Sequence, residues 1–269
     1  VFPNSGIVKV SQVHLVQILG LTMLIALLTD IHANREALAA CLMHAEDRHA
    51  ERYVFLGDLV GYGGEPGWVV DTVMAYVARG ALAVLGNHDA AVAGEPGVNM
   101  NPDACKSVEW TRSKLDETQL AFLRNLPLTI EANGCLFVHA SAASPRQWEY
   151  ISGKIEAVRS LQSTQCSAIF CGHVHEPALY NMSETGKVSA FSPVGDSSIP
   201  LGARRRWLVI PGAVGQPRDG NPAACYALYD DRSRDLTYFR VPYDCASAAS
   251  KIRRAGLSES FAVRLETGA

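Results

Sequence analysis

Ile25-Ala26-Leu27-Leu28-Thr29-Asp30-Ile31-His32 decides how this chain is read: four apolar residues run without alternation into a polar stretch carrying an acid and an imidazole. Such a run is too short for an independent helix and suits a strand buried on both faces. The pattern returns at Tyr53-Val54-Phe55-Leu56 before Gly57-Asp58, and at Ala81-Leu82-Ala83-Val84-Leu85 before Gly86-Asn87-His88-Asp89. Leu136-Phe137-Val138 before His139, and Ala168-Ile169-Phe170-Cys171 before Gly172-His173-Val174-His175, complete a set of five. Between the first three lie helical patterns. Residues 35–46 gather Ala37, Leu38, Cys41 and Leu42 on one side, and residues 66–77 open with Pro66 and carry Val69, Val70, Val73 and Val77. The order is therefore β-α-β-α-β. Asp30, Asp58 and Asn87 follow at intervals of 28 and 29 residues, the period of repeated units with parallel strands. The fold class is α/β, and all five polar clusters fall at strand carboxyl ends, where open α/β sheets collect ligands.

Upstream of the first strand, residues 12–28 are largely apolar but include Gln12, His14 and Gln17, and they lack a cationic flank and a small-residue cleavage site. A buried strand over about 23–28, preceded by an N-terminal extension over 1–22, fits better than a membrane segment. Downstream, helices are expected over 103–112 and 116–123, forming a cap-like insertion at about 98–126 between the third strand and His139. Residues 145–160 mix a loop with a helix near Ile155. After His175 the pattern becomes strands at 178–182, 187–191, 207–211, 224–230 and 236–240, then a closing helix over 244–254 and a packed tail over 257–267. No Gly/Ser linker interrupts 23–269, which reads as one domain. The 24 Lys and Arg against 27 Asp and Glu leave a net charge of -3, which disfavours a broad nucleic-acid-binding face. Seven cysteines form no Cys-x-x-Cys pair and their odd number cannot close completely into bridges, so reduced thiols in the cytoplasm are expected.

The chemistry follows from counting ligands. Two cations about 3.5–4 Å apart repel, and a carboxylate that bridges them relieves the repulsion while other groups complete each shell. Asp30, His32, Asp58 and His175 are assigned to one cation, and Asp58, Asn87, His139 and His173 to the other, with Asp58 as the bridge. Asp30 and His32, two residues apart, can both point inward only where strand has turned into loop. The same holds for His173 and His175, where Gly172 permits close approach and an unusual dihedral. Carboxylates, imidazoles and an Asn carbonyl suit two divalent or mixed-valence transition metal ions, Mn, Fe or Zn, better than an all-oxygen Mg site.

The ordered set Asp30-x-His32, Gly57-Asp58-x-x-Gly61, Gly86-Asn87-His88-Asp89, His139 and Gly172-His173-x-His175 resembles the calcineurin-like metallophosphoesterases, over roughly residues 23–175. The stretch 211–219, Pro-Gly-Ala-Val-Gly-Gln-Pro-Arg-Asp, resembles a turn of their small prokaryotic phosphodiesterase and phosphatase branch. The resemblance implies a four-layer α/β/β/α sandwich with two central mixed sheets and the dimetal site at the strand carboxyl ends. It also implies attack of a metal-bridging hydroxide on the phosphorus of a small phosphorylated substrate, a phosphodiester, a phosphomonoester or a nucleotide. Dinucleoside polyphosphate hydrolysis is an alternative; a catalytically weak metal-binding scaffold is another. Protein Ser/Thr phosphatases of the superfamily carry Asp-Arg-Gly where this chain has Gly61-Tyr62-Gly63, so a protein substrate is disfavoured.

His88, next to Asn87, is placed to protonate a leaving group. Arg146 and Arg218 are candidates to reach phosphoryl oxygens, each against a bland reading as a solvent-facing loop residue or a partner of Asp219. Asn34 and Arg35 open the first helix, whose free N–H groups favour an anion. Arg204-Arg205-Arg206 reads as a solvated turn, Tyr62 and Trp148 as packing residues, and Cys171 as a small hydrophobe.

Overall fold

The computed structural model describes residues 14–15, 23–95 and 100–269, so the expected extension over 1–22 lies almost wholly outside the described residues. The strands are β1 (His14–Leu15), β2 (Leu24–Leu28), β3 (Arg52–Phe55), β4 (Leu82–Ala83), β5 (Thr129–Ala132), β6 (Cys135–Val138), β7 (Ala168–Phe170), β8 (Ala178–Ser183), β9 (Val188–Phe191), β10 (Ser198–Pro200), β11 (Arg205–Ile210), β12 (Ala224–Asp230) and β13 (Asp235–Val241). The helices are α1 (Arg35–Asp47), α2 (Pro66–Ala78), α3 (Asn87–Ala93), α4 (Pro102–Arg112), α5 (Glu117–Arg124), α6 (Lys154–Gln162), α7 (Cys245–Arg254) and α8 (Glu259–Thr267). No helix among the described residues is long and apolar enough to cross a membrane.

The strands form two mixed sheets, in the orders β1-β5-β6-β7-β11-β8-β9 and β10-β13-β12-β2-β3-β4. Within the second, β2, β3 and β4 run parallel, joined by α1 and α2 as crossovers; in the first, β6, β7 and β11 run parallel. The period-2 alternation of a strand sends successive side chains to opposite faces, and the burial follows it. Ile25, Leu27, Val54, Phe137, Phe170, Val209, Tyr229 and Tyr238 fill the space between the sheets. Their neighbours Ala26, Leu28, Tyr53 and Phe55 face α1 and α2 on one outside, while Leu136, Ile169, Leu208 and Ile210 face α6 on the other. Two sheets between two helical layers result. Strand runs buried on both faces are why these segments read as continuous apolar runs.

Helices α4 and α5 extend the layer over the six-stranded sheet through Val108, Leu115, Leu123 and Leu126. The tail expected over 257–267 is the helix α8, which packs on α7 through Phe261, Ala262 and Leu265. The basic run is not a turn before a strand: Arg205 and Arg206 already belong to β11, with Arg205 Nη1 donating to Asn181 Oδ1 at 2.6 Å. The strand β5 was not expected. Its signal was Asn133-Gly134, the only residues between β5 and β6, which take φ of 50° and 70° as a two-residue hairpin turn requires.

Candidate metal centre

Strands β2, β3, β4, β6 and β7 all end at one edge of the sandwich, and each delivers its polar cluster there. The backbone turns out of strand geometry at the ligands themselves: Asp30, His32, Asp58, His173 and His175 have φ of 52°, 49°, 53°, 69° and 66°. Left-handed backbone at a non-glycine residue costs of order 1–3 kcal/mol, and such strain persists where surrounding contacts over-determine it. Here those contacts are main-chain bonds between loops, among them His32 N to Asp58 O at 2.9 Å and Gly215 N to Asp30 O at 2.9 Å. The unusual dihedral expected at Gly172 falls instead on the two histidines after it. Gly172 is needed for close approach, because a Cβ there would overlap Thr29 Oγ1 and press on the Asp30 carboxylate at 2.6 Å.

Asp30, His32, Asp58 and His175 each offer a ligand atom to one group, and Asp58, His139 and His173 to a second, with the atoms of each group within 4.8 Å of one another. Asn87 Oδ1 joins the second group, 3.1 Å from His139 Nε2. Every one of these imidazoles is anchored on its outer nitrogen by a main-chain carbonyl. His32 Nδ1 donates to Val60 O at 3.1 Å, His175 Nδ1 to Gln216 O at 2.7 Å, His139 Nδ1 to Leu56 O at 2.8 Å and His173 Nε2 to Trp148 O at 2.9 Å. A carbonyl only accepts, so each outer nitrogen carries a proton, and the inner nitrogen of each neutral ring is a bare lone pair. His32 Nε2 and His175 Nε2 face each other at 3.1 Å, and His139 Nε2 and His173 Nδ1 at 3.2 Å. The lone pairs of His32, His175 and His173, and the His139 nitrogen that a cation would free of its proton, are donor sets that fit two metal ions.

The carboxylates supply the charge. Asp58 Oδ2 lies 3.6 Å from His32 Nε2 and 3.3 Å from His139 Nε2, between the two groups, while Asp30 Oδ1 lies 3.2 Å from His175 Nε2. Burial lifts the pKa of Asp30 to about 7, with His139 opposing and Asp58 adding to the rise. Burial also opposes ionisation of Asp58, but His139, His88 and His32 outweigh it and hold Asp58 well below the usual carboxylate range. Burial keeps His32 and His175 uncharged and lowers His173 to about 3. His139 is the exception: burial works against its charge, yet Asp58 and Asp30 raise it to about 9.

Residues 23–234 match the model of the calcineurin-like phosphoesterase superfamily domain. The chain belongs to the calcineurin-like phosphoesterase superfamily. An uncharacterized protein of Methanocaldococcus jannaschii is 34% identical over 251 residues, spanning 91% of this chain and 98% of that one. The crystal structure of a metallophosphoesterase from Sphaerobacter thermophilus is similar at 34% identity and a TM-score of 0.81, covering 92% of this chain and all of that one. A hypothetical protein of Pyrococcus horikoshii shares the fold at a TM-score of 0.74 and 20% identity, over 91% of this chain and 98% of that one.

Around these candidate ligands stand the other expected residues. His88 N donates to Asp58 Oδ1 at 2.8 Å, fixing that carboxylate, while the His88 ring packs edge-on to His32 at 4.9 Å and against Tyr62 at 4.3 Å. Its Nδ1 is buried with no hydrogen-bond partner among the described residues, unlike the anchored rings beside it, and burial lowers its pKa to about 4 against the pull of Asp58. Arg218 lies over the Tyr62 ring at 6.0 Å, and Asp219 pairs with Arg240 rather than with it. Arg146 is not brought into the group: it lies in a short turn of 3-10 helix (Pro145–Gln147), is 61% exposed, and its Nη1 pairs with Glu95 Oε2 at 2.7 Å. Asn34 caps α1, accepting from Ala37 N at 3.1 Å and donating to Gly215 O at 2.9 Å.

Sequence reasoning missed the supports. Asp89, fully buried, accepts from Val60 N and from Gly86 N, both at 3.1 Å, and so ties the second ligand loop to the third. The signal was its place three residues after Gly86, where a capping acid reaches back to the start of α3. Gln216 and Trp148 act through main-chain carbonyls, which any residue supplies, so their side chains carry no such signal.

Proposed function

We propose that this calcineurin-like phosphoesterase is a binuclear metal-dependent hydrolase of small phosphorylated molecules, phosphodiesters or phosphomonoesters, of the small prokaryotic branch. The observation that carries this reading is the pair of inward-facing imidazole sets sharing Asp58. Asp30, His32, Asp58 and His175 would hold one cation and Asp58, Asn87, His139 and His173 the other. Two bound cations of the Mn, Fe or Zn class would neutralise phosphoryl oxygens and activate a water for in-line attack.

The protein's own groups do the rest. The carbonyls of Val60, Gln216, Leu56 and Trp148 keep the rings from rotating, so the ligand geometry is set before substrate arrives. His88, with no structural bond at Nδ1, is the group free to deliver a proton to the leaving oxygen. A bound phosphoester's negative charge raises its pKa from the lowered value toward the range a general acid needs. Arg218 supplies the cation that faces a phosphoryl oxygen. The absence of Asp-Arg-Gly at 61–63 supports a small substrate over a phosphoprotein.

The test is a kinetic panel on Mn-reconstituted protein: p-nitrophenyl phosphate, bis(p-nitrophenyl) phosphate, linear and cyclic diesters, diadenosine tetraphosphate and a phosphoprotein. Turnover of small esters is expected, with Asp58→Asn reducing it at least about a thousandfold, the scale of losing a main electrostatic contributor. Preference for the phosphoprotein overturns the substrate class, and no turnover with two metals bound overturns the enzyme.

A further inference from the structure

Beside the ligands of the first cation lies a pair of arginines, of which the reaction above uses Arg218 and leaves Arg264 without a role. Gln216 is 1% exposed; its main chain accepts from His175 Nδ1, and its side-chain Oε1 accepts from two guanidinium groups at once. Arg218 Nη2 donates to it at 3.0 Å and Arg264 Nη1, from α8, at 3.4 Å. Arg264 Nε also donates to the main-chain oxygen of Ala269 at 3.3 Å. Neither arginine has a side-chain carboxylate partner among the described residues. Other arginines pair with acids, Arg240 with Asp219, Arg253 with Glu259 and Glu266, Arg159 with Glu149, or lie singly on main-chain carbonyls, as Arg112 and Arg206 do.

Two like charges on one neutral amide oxygen, half out of water, repel each other, and burial together with Arg218 weakens the protonated form of Arg264. Buried polar atoms stand open around them: Arg218 Nε and Gln216 Nε2 have no hydrogen-bond partner among the described residues. Unpaired buried donors cost free energy unless a ligand accepts from them. The site is continuous with the metal centre, since Arg218 N donates to His175 O at 3.3 Å and the Tyr62 ring bridges from His32, 4.6 Å away, to Phe261 of α8, also 4.6 Å away.

We infer that Arg264, held beside Arg218 by Gln216, forms a subsite for a second phosphoryl group joined directly to the one that Arg218 faces at the metal centre. The inference rests on the phosphoesterase reading and narrows it, because the preferred substrates then carry a phosphoanhydride. Guanidinium forks are the side chains whose geometry matches phosphate oxygens, and a group attached to the reacting phosphoryl is the anion that the adjoining position reaches.

Calorimetric titration of the Mn-loaded full chain with methylphosphonate and with methylenediphosphonate tests this without relying on turnover. Methylenediphosphonate is expected to bind about tenfold or more tightly than methylphosphonate, the scale of one added charge-assisted contact. Arg264→Gln is expected to bring that ratio close to one, and Arg264→Lys to restore part of it, with urea midpoints showing both variants folded. Equal affinities in the unaltered protein, or a ratio unmoved by Arg264→Gln, overturn the subsite. Failure of methylphosphonate to bind a protein containing two metals strikes the phosphoesterase reading itself.

Discussion

His139 is where the chemistry of the centre is most finely balanced. Its outer nitrogen is committed to Leu56 O, and with its pKa raised to about 9 the inner nitrogen holds a second proton against Asp58 when no cation competes. Asp30, raised to about 7, holds a proton in the same way. A metal must displace both, so apparent Mn affinity should increase from about pH 7 to about pH 9 and level off above it, with proton release on binding. Calorimetry in buffers of different ionisation enthalpy checks both; a flat affinity across that interval contradicts the assignment. His88 belongs to another class, since it is no ligand. His88→Gln should lower kcat by about a hundredfold to ten-thousandfold while elemental analysis still finds the metals in place. Loss of metal from that variant would make His88 a structural support of the Asp58 loop.

At the scale of elements, the chain was legible wherever a strand is buried on both faces or a helix shows one apolar side. The segments β2, β3 and β12 and the helices α1, α2 and α4 lie where their residue patterns put them, because local periodicity and tertiary burial agree there. Two short pieces were not legible. The three residues of β10 are held by pairing with β13 and not by any pattern of their own, and the four residues of β5 are too few to carry a pattern apart from their turn. The helix α3 was hidden for another reason: its first residues are the polar motif Asn87-His88-Asp89, which chemistry and not periodicity selected. Elements also carry the link between fold and site through their caps. Asn34→Ala removes the cap of α1 and the donor to Gly215 O, so it should destabilise the protein by about 1–3 kcal/mol in urea unfolding, above a cap lost alone. A change under about half a kcal/mol would show that the cap bond and the Gly215 bond contribute nothing net.

For the whole molecule, the metal centre joins the two sheets: Asp30, Asp58 and Asn87 follow strands of one, His139 and His173 strands of the other. Cations bound there would cross-link the halves of the sandwich and stabilise only the folded chain. Loading with Mn at a hundredfold excess over Kd should add about 2.7 kcal/mol and raise Tm, and a chelator should reverse the rise. The same experiment on Asp58→Asn should show a much smaller shift, and an equal shift would place the stabilising metal elsewhere.

The residues alone pointed to the class of fold and to the side chains that meet as candidate ligands, because ligand chemistry restricts residue type and because strand ends place those types at regular intervals. Only the folded chain decided which arginine stands at the site. Arg146 and Arg218 both follow a motif in a loop, and what separates them is a carboxylate brought from elsewhere: Glu95 neutralises the first, whereas Arg240 takes Asp219 away from the second. Arg264, 46 residues beyond Arg218, reaches the same amide only through the packing of α8, and charge balance among residues so far apart is a property of three-dimensional contact.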